Sequence, residues 1–161
     1  HGRLGLVRAN PGLLRDMFGV QAEHRAALGW FNRLVRERTD LEHKGEINLK
    51  YAGTLPLAEA VRLLALRHGI GATGTLERIE ALAERGHLGP DERDDLEGAY
   101  GHITGLQIRQ QIRDYVAGRP IGNFVDPNEL TRRETDLLKT GFRAINEFRN
   151  RLRAELTGDV F

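Results

Sequence analysis

Five side chains with binding chemistry fall within nine residues: His43, Lys44, Asn48, Lys50 and Tyr51. Lys50 carries a compact ammonium suited to a triphosphate or an acidic acceptor, and His43 and Lys44 add positive charge at the same mouth. Tyr51 has an amphipathic ring that either stacks on a base or packs against the fold. Asn48 completes the group. The stretch around them, His43 to Leu57, is punctuated by Gly45 and Gly53. It leads into a helix start, with Thr54 as cap and Pro56 in the first turn. Residues 39–54 are therefore expected to be a loop between helices, a common place for a site although most such loops only connect. A second polar wall comes from a later helix carrying His102, Gln107, Arg109, Gln110, Gln111, Arg113 and Asp114. Arg109 and Gln110 are its candidates for facing a ligand cleft. The competing reading of that wall is a solvated helix face.

Other chemistries find less support. The six histidines are scattered, with no pair at i, i+4 and a third ligand nearby, so no metal site is expected. Gly69, Gly71 and Gly74 form a turn and not a phosphate loop, which needs a strand and a Gly-Lys-Ser/Thr ending. Arg62 and His68 match the Arg-x(4–6)-His pattern of helical ribonucleases of the HEPN class, in which His is the acid/base and Arg steadies the phosphate. Any Arg-rich helix ending in His gives that match, and helix C-termini favour His on dipole grounds alone. No paired carboxylates follow a Gly-Ser on a strand-like segment, so the chain by itself is not expected to hold the Mg²⁺ that nucleotidyl transfer requires.

The elements that must position these residues are read from composition and periodicity. The chain has 161 residues, 40% apolar and 29% charged, with 24 basic against 23 acidic side chains and no cysteine. One domain of this size buries roughly 70% of its unfolded surface. The near-zero net charge argues against general nucleic-acid binding. The absence of cysteine excludes a disulfide framework and a thiolate zinc site and fits a reducing, cytoplasmic setting. No run approaches the roughly 20 apolar residues of a membrane span. The chain opens on His1 and reads as a fragment of something longer.

Residues 1–9 are read as a lead-in and 10–161 as a single helical domain. Asn10-Pro11 starts a helical pattern through Leu13, Leu14, Met17 and Phe18 that continues over Ala27, Trp30, Phe31, Leu34 and Val35. Helix 55–68 stops at Gly69. A short helix runs from Thr75 to about Arg85. The longest begins at Gly89-Pro90-Asp91-Glu92, with acidic residues in its first turn, and reaches Val116, about 40 Å. It carries two apolar stripes, Leu96/Ala99/Ile103/Leu106 and Ile108/Ile112/Tyr115/Val116, which predict packing on more than one side. Thr131-x-x-Glu134 reads as a capping box opening a last helix with Leu138, Phe142, Ile145, Phe148, Leu152 and Leu156 inward. No segment alternates over a strand length. The expected fold is all-α, an antiparallel bundle of five or six helices.

On residues 31–68 the chain resembles the "putative nucleotidyltransferase substrate-binding" domain family. The resemblance rests on Phe31, Val35, Glu37-Arg38, His43-Lys44-Gly45, Ile47-Asn48-Leu49-Lys50, Gly53, Pro56-Leu57, Ala60-Val61-Arg62 and Leu64-Ala65-Leu66. It resumes at Thr75-Leu76-Glu77-Arg78, Ala81-Leu82, Gly86, Leu88, Ala99-Tyr100, Leu106, Arg109 and Gln111. It ends with Asn123-Phe124-Val125-Asp126-Pro127, Leu130-Thr131, Leu137-Leu138-Lys139, Phe142 and Ile145. Coverage is about 30–156, and the Asn-Leu-Lys and Asn-Phe-Val-Asp-Pro loops are its specific parts. The family's usual Asp-Leu-Lys stands here as Asn48-Leu49-Lys50, and its frequent His before the matched Gln stands here as Gln110. The first loop is also loosely similar to the Asn-Leu-Lys segment of PII uridylyltransferases and the Asp-Ile-Lys segment of glutamine-synthetase adenylyltransferases.

The resemblance implies a helical module that follows a DUF294-type nucleotidyltransferase domain in bacterial signal-transduction proteins, which often begin with CBS and cyclic-nucleotide-binding modules. It would complete the active-site cleft and bind substrate or acceptor through Lys50, Asn48, His43, Lys44, Tyr51, Arg109 and Gln110. Catalytic residues, Mg²⁺ and a nucleoside triphosphate would belong to the parent protein, with no cofactor in this stretch. The implied partners are the N-terminal catalytic domain and an acceptor protein or small molecule; a homodimer is compatible with it. The rival class is a non-catalytic interaction module relaying the state of sensory domains.

Overall fold

The computed structural model describes residues 42–157, together with Gly12, Leu28, Gly29, Arg33, Leu34, Arg36 and Glu37. Four α-helices stand among the described residues: α1 (Leu55–Arg67), α2 (Thr75–Glu84), α3 (Pro90–Val116) and α4 (Arg132–Thr157). The all-α expectation fits broadly. The count of five or six is not reached among the described residues, and the pattern from Leu13 to Ala27 lies outside them. Within the expected helical stripe ending at Val35, Leu28–Gly29 (β1) instead pairs antiparallel with Arg33–Leu34 (β2), Leu28 opposite Leu34.

Each helix end has a local cause. Gly69 and Gly118, at φ +67° and +65°, take the left-handed conformation that stops α1 and α3. Pro90 fits the first turn of α3, and Asp91 and Glu92 meet the positive end of its dipole. The Thr131–Glu134 capping box forms as expected. Glu134 Oε2 accepts from the Thr131 backbone N–H at 2.8 Å, and Thr131 Oγ1 accepts from the Glu134 N–H at 3.2 Å.

The entry to α1 differs from the sequence expectation. Helical structure begins at Leu49, and Lys50–Thr54 form a single π-helical turn in which the Leu55 N–H bonds the Lys50 carbonyl. Thr54 lies inside the helical run and makes no cap. The cap is Asn48, whose Oδ1 accepts from the Tyr51 N–H at 3.2 Å. Pro56 supplies the reason for the wide turn: it has no N–H, and its ring presses toward the carbonyl four residues back.

The core is one cluster of buried apolar side chains in which Ile103, Phe142, Ile145, Phe148, Leu64 and Leu82 are almost wholly buried. α3 packs on α2 and α4, and α1 packs on α2 and α4. Arg151 near the end of α4 donates two bonds of 2.9 Å to Glu92 at the start of α3, so α3 and α4 run antiparallel. Arg67, at the end of α1, reaches Glu155 near the end of α4, so those two helices run in the same direction. Two glycines let backbones approach closely. A Cβ on Gly53 would lie 2.8 Å from Ile103 Cδ1 and 3.0 Å from Phe142 Cε1, and one on Gly141 would lie 3.1 Å from Ala99 Cβ. Among the described residues no helix is long and apolar enough to cross a membrane.

Candidate functional site

The two motifs that stand out in the sequence meet in space. Ile47–Asn48 (β3) pairs antiparallel with Phe124–Val125 (β4), Ile47 opposite Val125 and Asn48 opposite Phe124. The Leu49 N–H extends the ladder by bonding the Asn123 carbonyl at 2.9 Å. Ile47, Leu49 and Val125 turn inward and are buried, which anchors both segments to the helical core.

A groove of about 1260 Å³ opens beside this ladder, between the 42–51 turn, the C-terminal end of α3 and the 117–129 loop. Tyr51 lines it with half its surface exposed. The His43 ring stacks on Phe124 at 3.8 Å, nearly parallel, and its Nδ1 meets Glu46 Oε2 at 2.7 Å. Gly45, at φ +94°, makes the turn that sets His43 in this position; the Glu46 N–H returns to the His43 carbonyl at 3.0 Å.

The loop wall is held by amides and one carboxylate. Gln107 and Gln111, a turn apart on α3, each donate to Asn123 Oδ1 at 3.3 Å. Asp114 is buried and accepts from Arg119 Nη2 at 3.0 Å, Gln110 Nε2 at 3.0 Å and the Gly122 N–H at 3.2 Å. Burial works against its charge, but the bonds from Arg119, Gly122 and Gln110 outweigh it and hold the carboxyl below its ordinary value. Asp126 caps the short 3₁₀ turn Pro127–Glu129 through the Asn128 N–H at 2.9 Å.

The electrostatics of the groove are acidic. Glu42, Glu46, Asp114, Asp126 and Glu129 line it against two guanidiniums, Arg113 and Arg119. Each guanidinium is engaged by a carboxylate of the same groove, Arg113 with Glu129 and Arg119 with Asp114, both at 3.0 Å. Among the described residues no group of three or more His, Asp or Glu side chains is placed to hold a metal ion.

The residues singled out from sequence divide into three sets. His43, Asn48, Tyr51 and Gln110 line the groove. Lys44 and Lys50 are exposed on the same turn outside the lining, and Lys50 Nζ stands 6.0 Å from the Tyr51 ring centre. Arg109 is drawn to the start of α4, where it pairs with Glu134. There the Thr131 backbone N–H first, and Arg109 next, lower the Glu134 carboxyl to about 2. His102 Nε2 bonds the Glu134 carbonyl at 3.0 Å. At the C-terminus of α1, His68 stacks on His87 at 3.5 Å, and Arg62 is exposed six residues earlier.

Sequence reasoning missed the clamp on Asn123 and the organising role of Asp114. The signal available was the run of Gln residues on α3, an unusual choice for a solvated face. Ile112, Val116 and Ile121 were also missed as groove residues; all three are more than half exposed.

A family model described as "Putative nucleotidyltransferase substrate binding domain" matches residues 11–156. No curated protein and no solved structure matches the chain.

Proposed function

We propose a function from the premise that the chain belongs to the nucleotidyltransferase substrate-binding domain family: it forms the acceptor-binding wall of a nucleotidyltransferase cleft in a larger signalling protein. The observation that carries this reading is the β3–β4 ladder, which brings Asn48 of the first specific loop and Asn123, Phe124 and Asp126 of the second to one groove, with Tyr51 exposed inside it. Tyr51 and the stacked His43–Phe124 pair offer aromatic surface for an acceptor. The surplus of carboxylates repels a triphosphate from the groove floor and favours a neutral or cationic acceptor. Lys44 and Lys50, on the rim, are placed to meet nucleotide phosphates presented from the catalytic domain. That domain would hold the Mg²⁺–nucleotide. Asn48 and Gln110 act by positioning, as cap and as loop support. Arg109 serves the start of α4 through Glu134.

Amide NMR of the 161-residue chain with its catalytic domain, titrated with MgATP and MgUTP, tests this. Shifts are expected at residues 43–51 and reduced by Lys50→Ala. Shifts centred on Asn123 and Gly122 would refute the rim assignment. No shift anywhere in the 42–51 turn would overturn the cleft reading.

A further inference from the structure

The face of α3 opposite the core bears a second surface, which meets the groove only at Ile112. Gly98, Gly101, Gly105, Ile108, Ile112 and Tyr115 follow one another at spacings of 3, 4, 3, 4 and 3. That is the heptad spacing of a helix seam. All six are exposed: Ile108 by 50%, Ile112 by 57% and Tyr115 by 75%. A Cβ on any of the three glycines would meet nothing within 4 Å. The sequence predicts packing on two sides of this helix, and among the described residues the Ile108/Ile112/Tyr115 side stays exposed. Three exposed apolar side chains in line on one helix, beside a stretch open to close backbone approach, are the geometry of a helix-on-helix contact.

We propose that this face pairs with the same face of a second copy, α3 against α3 in antiparallel orientation. The basis is self-complementarity. In an antiparallel seam with its twofold axis beside Leu106 and Gln107, Gly105 of each copy lies opposite Ile108 of the other. Gly101 then lies opposite Ile112, and Gly98 opposite Tyr115, so every large side chain meets a gap. Parallel pairing would set glycine on glycine and Asp on Asp. The helix dipoles point the same way, since antiparallel pairing sets the positive end of one α3 beside the negative end of the other. The contact is isologous, as a closed dimer requires.

Sedimentation velocity of the 161-residue chain, from low micromolar to several hundred micromolar, should show a reversible monomer–dimer equilibrium. Gly101→Lys should weaken it at least about tenfold, because a charged side chain then fills the gap meant for Ile112. The variant keeps its fold, since Lys is the better helix former at an exposed position, and its circular dichroism should match that of the parent. Orientation is read by cross-linking, since the chain has no cysteine of its own. A mixture of Gly101→Cys and Ile112→Cys chains should oxidise to the mixed dimer in preference to either homodimer. A chain that stays monomeric, a dimer indifferent to Gly101→Lys, or preferential homodimer cross-links would each overturn the proposal. Gly101 does not line the groove, so failure here leaves the nucleotide titration to be read separately.

Discussion

Gly53→Ala measures how tightly the π turn is pressed into the core. A Cβ there would sit 2.8 Å from Ile103 Cδ1, 3.1 Å from Ile103 Cγ2 and 3.0 Å from Phe142 Cε1. Ordinary carbon contacts lie near ~3.5–4.0 Å. Ile103 and Phe142 are wholly buried, so neither ring nor methyl has open space to retreat into. Overpacking of this kind costs roughly 1–3 kcal/mol. Against it stands the gain of about 1 kcal/mol from replacing a helical glycine by alanine. Gly98→Ala isolates that gain at concentrations that keep the chain monomeric, because its Cβ meets nothing within 4 Å in its own chain. Urea unfolding of both variants should therefore differ by about 1–3 kcal/mol, with Gly98→Ala the more stable. Ile103→Val supplies the internal check. Alone it should cost about 0.5–1.5 kcal/mol. In the Gly53→Ala background it removes the closest clashing atom and should cost less, giving a coupling of opposite sign to the single effects. Equal stabilisation by Gly53→Ala and Gly98→Ala, or strict additivity with Ile103→Val, would refute the close-approach reasoning.

Three further outcomes follow from the polar network. Glu134→Gln should cost on the order of 1 kcal/mol at neutral pH, since the folded carboxylate is favoured by the Thr131 N–H and Arg109. Its folded value near 2 lies below the ordinary 4.5. The contribution is therefore present above about pH 4.5 and fades as pH falls toward 2, so parent and variant stabilities should converge in acid. Asn48→Ala should destabilise the start of the helical run by about 1 kcal/mol, whereas Asn48→Asp, which keeps a cap acceptor, should be nearly neutral in thermal melts. Asp114→Ala leaves the Gly122 N–H and the Gln110 amide without their acceptor and should cost about 1–3 kcal/mol. Amide exchange should then accelerate at residues 118–123 before it does in α4.

Much of the helical framework is legible in the sequence, because it follows from local signals. Pro90 with Asp91 and Glu92, the Thr131–Glu134 box, and the Leu138-to-Leu152 stripe each act within a few residues, and each stands where the periodicity put it. The entry to α1 was misplaced because two cap signals compete. Thr54 lies nearer Pro56, but Asn48 wins by opening a π turn that needs Gly53 against Ile103, a tertiary contact no local pattern reveals. The site was half legible. His43, Asn48 and Tyr51 lie close together in sequence and stay together in space. Arg109 was grouped with them as a cation on a polar wall, and its partner Glu134 comes from another helix. The pairing of Asn48 with Phe124 depends on how three helices fold back, which spacing along the chain does not encode. The two apolar stripes of α3 were visible, but which of them the bundle would leave exposed was not.

The β3–β4 ladder has a kinetic consequence. Ile47 and Val125 lie on either side of α1, α2 and α3, so this contact closes a long loop, while neighbouring helices make most of the remaining core between them. Closing such a loop is entropically unfavourable until the intervening helices have docked and shortened the span. The ladder is therefore expected to form late in folding. A chain emerging N-terminus first carries its 42–51 turn without a mate until three helices have been made. The groove does not exist on any folding intermediate that lacks the docked bundle, and a ligand that requires both of its walls selects finished molecules over partly folded ones.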